Sequence, residues 1–432
     1  MPHRKALAVA FSVLSLGAIS LLVSQNVTQV QAPTGFTTPT GCPTGNLPAG
    51  VGPCESSGLA ESPNMTFAQA QEVFEETEGI PDGLGPLFND TSCASCHQSP
   101  VTGGASQVSE FRAGHRDLAG NFVGATVLLD NGAATLANRS LINDRAICPQ
   151  AQGRITLRET LTTFRMSLPV LGDGFVEAID DSTLAAIAAQ QRAATGGRIA
   201  GQLIRVPVLE AGNALRAGRF GWKNQHASLL SFAADAYLNE MGVTTRLAPV
   251  DTTTVCKTTS DPESVEDATG VGDLDRFAFF MRATKAPPRD AVAAATPDAQ
   301  AGERLFANIG CAMCHVASIT TAPAGTVVNG GKFTIPAALG GKTIHPYSDF
   351  LLHNVGTGDG IVQNGPPETA NKFRTPPLWG LRTRIRLMHD GESLTRHDAI
   401  VRHAGEATGV INNYRGLSVA QKNALIAFLN SL

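Results

Sequence analysis

The sequence predicts a mainly helical chain of two units with long ordered loops. Three observations lead there. The stretches "SCASCHQSP" (92–100) and "GCAMCHVAS" (310–318) repeat one cysteine–histidine pattern 218 positions apart. A run of apolar residues at helical spacing approaches each copy, and the strand signals between them are short and scattered among Gly and Pro.

Length and charge frame the rest. A chain of 432 residues with 43% hydrophobic composition can bury a large core in two or more domains. It opens with His3, Arg4 and Lys5, then the 18-residue apolar run "ALAVAFSVLSLGAISLLV", the form of a secretory signal. The small residues ending at Ala32 predict cleavage there and export, in a bacterium to the periplasm; only an uncleaved segment would tie the chain to a membrane. Removing residues 1–32 takes Arg4 and Lys5 from 33 basic residues, leaving 31 against 37 acidic ones. That balance excludes a basic surface for nucleic acid.

Residues 33–64, rich in Pro, Gly, Ser and Thr, read as a flexible lead-in. The first unit then spans 65–285. In "TFAQAQEVFEET", Phe67, Ala70, Val73 and Phe74 predict an amphipathic helix, and the turn-rich "GIPDGLGPLFNDTS" leads into the first cysteine pair. The Pro- and Ala-rich stretch 285–298 marks the boundary to the second unit, 286–432. There Thr296 is the expected N-cap, Pro297 the first helical residue, Ala301, Leu305 and Phe306 the inward face, and Gly310 the stop. Ser418 and Gln421 form a capping-box pattern before a last helix whose inward face is Leu425, Ile426 and Leu429.

Of eight cysteines, four lie in the repeated motif and four remain, an even number in an oxidising compartment. Two disulfides are expected, and Cys42 with Cys54 and Cys148 with Cys256 is the preferred pairing of the three connectivities. Free buried thiols are the alternative.

A Cys-x-x-Cys-His run has a specific chemical meaning. The two thiols add across the vinyl groups of a haem and the histidine becomes an axial ligand of its iron. A zinc half-site would need a second pair nearby, and a redox dithiol has no use for the histidine. Two copies in an exported chain therefore predict two covalent c-type haems, one on Cys93, Cys96 and His97 and one on Cys311, Cys314 and His315, in two cytochrome c-like domains.

With these motifs, "GLGPLFNDTSCASCH", "GRFGWKNQHASLLSFAADAYLNEMG", "YSDFLLHNVG", "FRTPPLWGLR" and "MHDGESLTRHDAIVRHAGEA" resemble the di-haem oxidoreductases related to bacterial di-haem cytochrome c peroxidases, from about Gly83 to Leu432. In those relatives the distal ligand of the C-terminal haem follows the histidine of a His-Asp-Gly segment by 14 positions. Counting from His389, that position is His403. The resemblance thus implies a bis-histidine C-terminal haem; a surface or propionate-contacting histidine is the alternative. The relatives' acid–base glutamate for peroxide cleavage corresponds to Glu240 in "LNEMG", with a helix-end cap or ion pair as the alternative. Their accompanying glutamine aligns near Phe232, so one polar partner is missing.

Trp222 takes the place of a tryptophan between the two haems, either an electron relay or interface packing. His115, 18 residues after His97, sits near the offset of a resting-state distal ligand and otherwise belongs to a surface loop. Arg382, Arg384 and Arg386 alternate as on a strand with one cationic face, and Arg374 is a candidate propionate contact. Relatives also bind calcium between domains. The resemblance implies an exported oxidoreductase that reduces hydrogen peroxide at the N-terminal haem, with electrons relayed from the C-terminal haem and supplied by a small electron-donor protein or a quinol-linked cytochrome. The alternatives are a bis-histidine electron carrier without a substrate and an oxidase of thiols or protein side chains.

Overall fold

The first helix lies where the apolar spacing places it. In the computed structural model, which describes residues 30–36, 65–130, 135–257 and 270–432, Thr66 accepts from the Gln69 amide and Gln69 returns the bond, closing a capping box on α1 (Phe67–Glu75). The single turn α2 (Cys93–Cys96) carries the first motif. Three helices follow: α3 (Asp173–Glu177), α4 (Asp181–Thr195) and α5 (Leu229–Met241). α6 (Asp273–Ala283) packs on α1 through Phe74 against Phe277 and Phe280, with ring centroids 5.1 and 4.6 Å apart.

The short α7 (Ala291–Ala294) precedes α8 (Pro297–Ile309), capped by Thr296 and stopped at Gly310 as expected. After α9 (Arg396–Val401) and α10 (Thr408–Arg415), the chain ends in α11 (Val419–Asn430), whose Ser418–Gln421 capping box is formed. α8 and α11 cross closely at Gly302, where any side chain would strike the Ala424 carbonyl. Phe306 meets Phe428 there at 5.2 Å.

The expectation of a mainly helical chain is corrected by the insertion between the first motif and α3. Six strands form one antiparallel sheet in it. Ser109–Arg116 pairs with Phe122–Leu129, Leu141–Ile142 and Leu161–Met166, while Phe122–Leu129 pairs also with Thr135–Arg139 and Gly153–Ile155. One side closes over Ala113, Ala125, Val127, Leu129 and Ile142. The reason the sequence hid it is that Arg112, His115 and Arg165 are buried on these strands, so the apolar–polar alternation that marks a half-buried strand is absent. Arg382, Arg384 and Arg386 form no strand: a 3-10 turn at Leu381–Thr383 runs into irregular chain.

The stretch around Lys285 divides the sequence signals but not the core. One apolar cluster joins Phe74, Phe175 and Phe280 to Ile344, Leu351 and Trp379. Gln191 on α4 also reaches across, donating to the Met313 carbonyl (2.7 Å) and to Asp349 Oδ2 (2.6 Å). Cys148 and Cys256 form a disulfide with Cα atoms 6.6 Å apart. Cys42, Cys54 and the amino-terminal apolar run lie outside the described residues. Among the described residues no helix is long and apolar enough to cross a membrane.

Candidate functional site

The second motif follows α8 directly. Gly310, at φ 106°, turns the chain so that Cys311 and Cys314 open onto a cavity of about 570 Å³. His315 and His403 line the same cavity. His315 donates from Nδ1 to the Tyr347 carbonyl at 3.0 Å, and His403 from Nδ1 to the Ala399 carbonyl at 2.7 Å. Each ring therefore keeps Nε2 as its acceptor nitrogen, the arrangement that second-shell carbonyls impose on metal-binding imidazoles. Burial pushes His315 down to about 4, helped by the neighbouring His403, and lowers His403 as well. Both rings are held neutral, the form that coordinates iron.

The cavity wall also fits the carboxylate end of a haem. Arg374 Nε, Arg384 Nη2 and Arg396 Nε are buried without a hydrogen-bond partner among the described residues, and all three arginines line the cavity. Burial lowers Arg374 to about 10 against the opposing pull of Asp173, and lowers Arg384 to about 10 with Arg374 adding repulsion. Unmet cationic donors of this kind are rare unless an anion completes them, and haem brings two propionates. The cysteines point the same way. Burial pushes the Cys96 and Cys311 thiols up to about 12, and the second cysteine pair lines the haem-sized cavity together with His315.

Trp222 stands on the wall of this cavity with its Nε1 donating to the Met166 carbonyl at 2.8 Å. Gln98 and Ser99, the two residues after His97, line the cavity too. The structure thus brings Trp222, the second motif, His403 and the exit from the first motif together. His389 stacks on Phe373 at 3.8 Å and meets Trp222 edge-on at 6.2 Å.

At the first motif, the one-turn α2 half-buries Cys93 and Cys96, and His97 donates from Nδ1 to the Gly104 carbonyl at 3.2 Å while Phe74 abuts its ring. Glu240 approaches from the end of α5. Gly85 and Gly242 make that possible: a Cβ on Gly85 would fall 2.4 Å from Gly242, so only glycine lets the segment before the motif run against the α5 terminus. The Gly85 amide donates to the Met241 carbonyl (2.9 Å) and the Asn89 amide to the Glu240 carbonyl (2.7 Å). Asn89 Nδ2 then donates to Glu240 Oε2 at 2.5 Å. Desolvation and the adjacent Glu110 carboxylate push Glu240 up to about 8. Phe232 offers nothing polar here; its ring stacks with those of Phe220 and His226.

His115 is placed elsewhere. It lies five residues beyond Glu110 on the strand, about 16 Å along it, with Nδ1 on Glu159 Oε2 at 2.7 Å. Sequence reasoning missed Asn89, Glu110 and Arg396. The buried His353 bridges Asp349 and Glu406 at 2.8 Å each and lies 3.7 Å from Cys314 Sγ. Cys314, Asp349 and His353 are spaced closely enough for a metal, but a thioether at Cys314 would remove its anionic ligand. These partners come from distant segments, so no local spacing announces them.

The sequence matches the family described as di-haem oxidoreductase, putative peroxidase, over residues 144–432. Among solved structures it is similar to a MauG-like protein associated with microbial copper homeostasis, at 20% identity and TM-score 0.25 over 37% of this chain and 52% of that one. The chain thus spans about half the length of that protein. It is also similar to Kuenenia stuttgartiensis hydrazine synthase, at 13% identity and TM-score 0.36 over 93% and 99%. A search of curated proteins returned no match. The family match covers well over half of the chain, which belongs to the di-haem oxidoreductases and is a di-haem redox protein.

Proposed function

We propose that this di-haem oxidoreductase reduces hydrogen peroxide at the haem of Cys93, Cys96 and His97, with electrons relayed from the haem of Cys311, Cys314 and His315. The observation that carries the reading is Glu240: a carboxyl beside Cys96, anchored by Asn89, with its acidity shifted toward neutral pH. Haem, joined to both motifs by thioether bonds, supplies the redox-active iron.

The chain's own residues do the rest. Two electrons and two protons turn one peroxide into two waters. Glu240 takes a proton from one peroxide oxygen and returns it to the other, which makes the departing oxygen a better leaving group. A pKa near the working pH suits a group that must both accept and donate. His115 lies five residues beyond Glu110 on the strand, about 16 Å along it, which supports leaving the Glu240 side free for peroxide. His315 and His403, each donating from Nδ1 to a carbonyl and so keeping Nε2 free, would both hold the second haem, which would then serve electron exchange. Trp222 lines the cavity that the second motif and the residues following the first motif share, which supports the relay. In this reading the protein works in the periplasm and is fed by a small electron-donor protein or a quinol-linked cytochrome.

The test is Glu240→Gln, which keeps the shape and removes the titrating group. Both haems should remain attached while peroxide reoxidation of the half-reduced protein slows by about 10²- to 10⁴-fold. Retained turnover would remove Glu240 from the mechanism.

A further inference from the structure

The mechanism uses Glu240 but leaves a second carboxylate beside it unexplained. We propose that Glu110, clamped by Arg112, is a positioning residue that fixes where Glu240 carries its proton; the proposal rests on the peroxide-cleaving reading of that site.

Glu110 and Arg112 point to the same side of the strand Ser109–Arg116, two residues apart. Arg112 Nε donates to Glu110 Oε1 at 2.8 Å and Nη2 to Oε2 at 2.7 Å, while Nη1 donates to Ser140 Oγ at 3.1 Å. With both oxygens held by a guanidinium, Glu110 stays ionised and has no proton to give. Its carboxylate is nevertheless within hydrogen-bonding reach of Glu240. On the other side, Asn89 Nδ2 donates to Glu240 Oε2, and Asn89 is itself steered by Asn143, which donates to its Oδ1 at 3.4 Å and accepts from Arg139 Nη2 at 2.8 Å.

The consequence is directional. An amide N–H makes Oε2 of Glu240 an acceptor, so the proton belongs on the other oxygen, and the ionised Glu110 is the group able to accept from it. Glu110 and Asn89 together supply the polar partners that Phe232 lacks. The other charged groups around the pair are Arg165 from the neighbouring strand, Asp235 of α5 with its partner His226, and Asp90 with Arg145 beside Cys96. Beyond burial, the Glu110 charge raises Glu240 and the Arg112 charge lowers it.

Opposite signs give the test. Infrared spectroscopy of the haem-loaded protein follows the protonated-carboxyl band against pH, and stopped-flow absorbance follows peroxide reoxidation of the half-reduced protein over the same range. Glu240→Gln should delete the band. Glu110→Gln should move its midpoint down by about one pH unit or more, Arg112→Gln should move it up, and Glu110→Asp should leave it near the wild-type position. The pH limb of reoxidation should shift the same way in each variant. A residue with a merely structural role would lower haem content or stability without moving the midpoint. An unshifted midpoint in haem-loaded Glu110→Gln, or a band that survives Glu240→Gln, would overturn the proposal. A wild type that peroxide fails to reoxidise would sink the peroxidase reading, and the infrared arm would then decide the placement of the proton by itself.

Discussion

Arg384 is the sharpest probe of how the second cavity receives its haem. Its Nη2 is buried without a partner, Arg374 stands close enough to repel it, and Arg158, exposed and away from the cavity wall, provides a control. In the loaded protein a propionate would accept from that nitrogen. A charge-assisted hydrogen bond at a buried site is worth about 1.5–3 kcal/mol, so Arg384→Gln should cost about 2–3 kcal/mol. Unfolding entropy of about 2.1 cal/mol/K per residue, over 432 residues, gives roughly 0.9 kcal/mol/K and a midpoint about 2–3 °C lower. Arg158→Gln should stay within about 0.5 kcal/mol. The assay is a thermal melt of purified haem-loaded protein followed at the haem absorbance band. Equal losses in the two variants, or no loss in Arg384→Gln, would refute the propionate assignment.

Other consequences follow from the same geometry. His403→Ala should open the second haem and give it a high-spin signal in electron paramagnetic resonance; a spectrum that stays wholly low-spin would exclude His403 as a ligand. Trp222→Phe loses the Nε1 bond to Met166, about 1 kcal/mol, and should slow electron transfer between the haems; an unaltered rate would leave Trp222 a packing residue. Reducing the Cys148–Cys256 disulfide, or replacing both cysteines with serine, frees a loop of 108 residues and should lower stability by about 2–5 kcal/mol in a denaturant titration. An unchanged midpoint would show that the sheet and α5 hold that loop without it.

What the sequence revealed and what it concealed divide along one physical line. Thr296 and Ser418 act on amides within four residues, and Phe67, Ala70, Val73 and Phe74 recur at helical spacing, so these helices were readable. The haem motifs are local in the same way, and the even cysteine count led to Cys148 and Cys256. The six-stranded sheet was not readable because its strands bury Arg112, His115 and Arg165 and so lack the apolar alternation that betrays a strand. The site partners were hidden by distance: Glu110 lies 130 positions before Glu240, and Asn89 lies 151 before it. Arg396 gave no signal until the cavity brought it onto the wall that Arg374 and Arg384 also line, each with an unmet nitrogen.

The central claim is that peroxide is reduced at the first haem with electrons relayed from the second. Its most direct test is to add hydrogen peroxide to the half-reduced protein and follow absorbance by stopped flow, with electron paramagnetic resonance on samples frozen before and after mixing. The account predicts a high-spin first haem beforehand and rapid reoxidation in the wild type, with both haems still attached but reoxidation slow in Glu240→Gln. Two low-spin haems and an equally slow reaction in both proteins would contradict it and leave the chain an electron carrier.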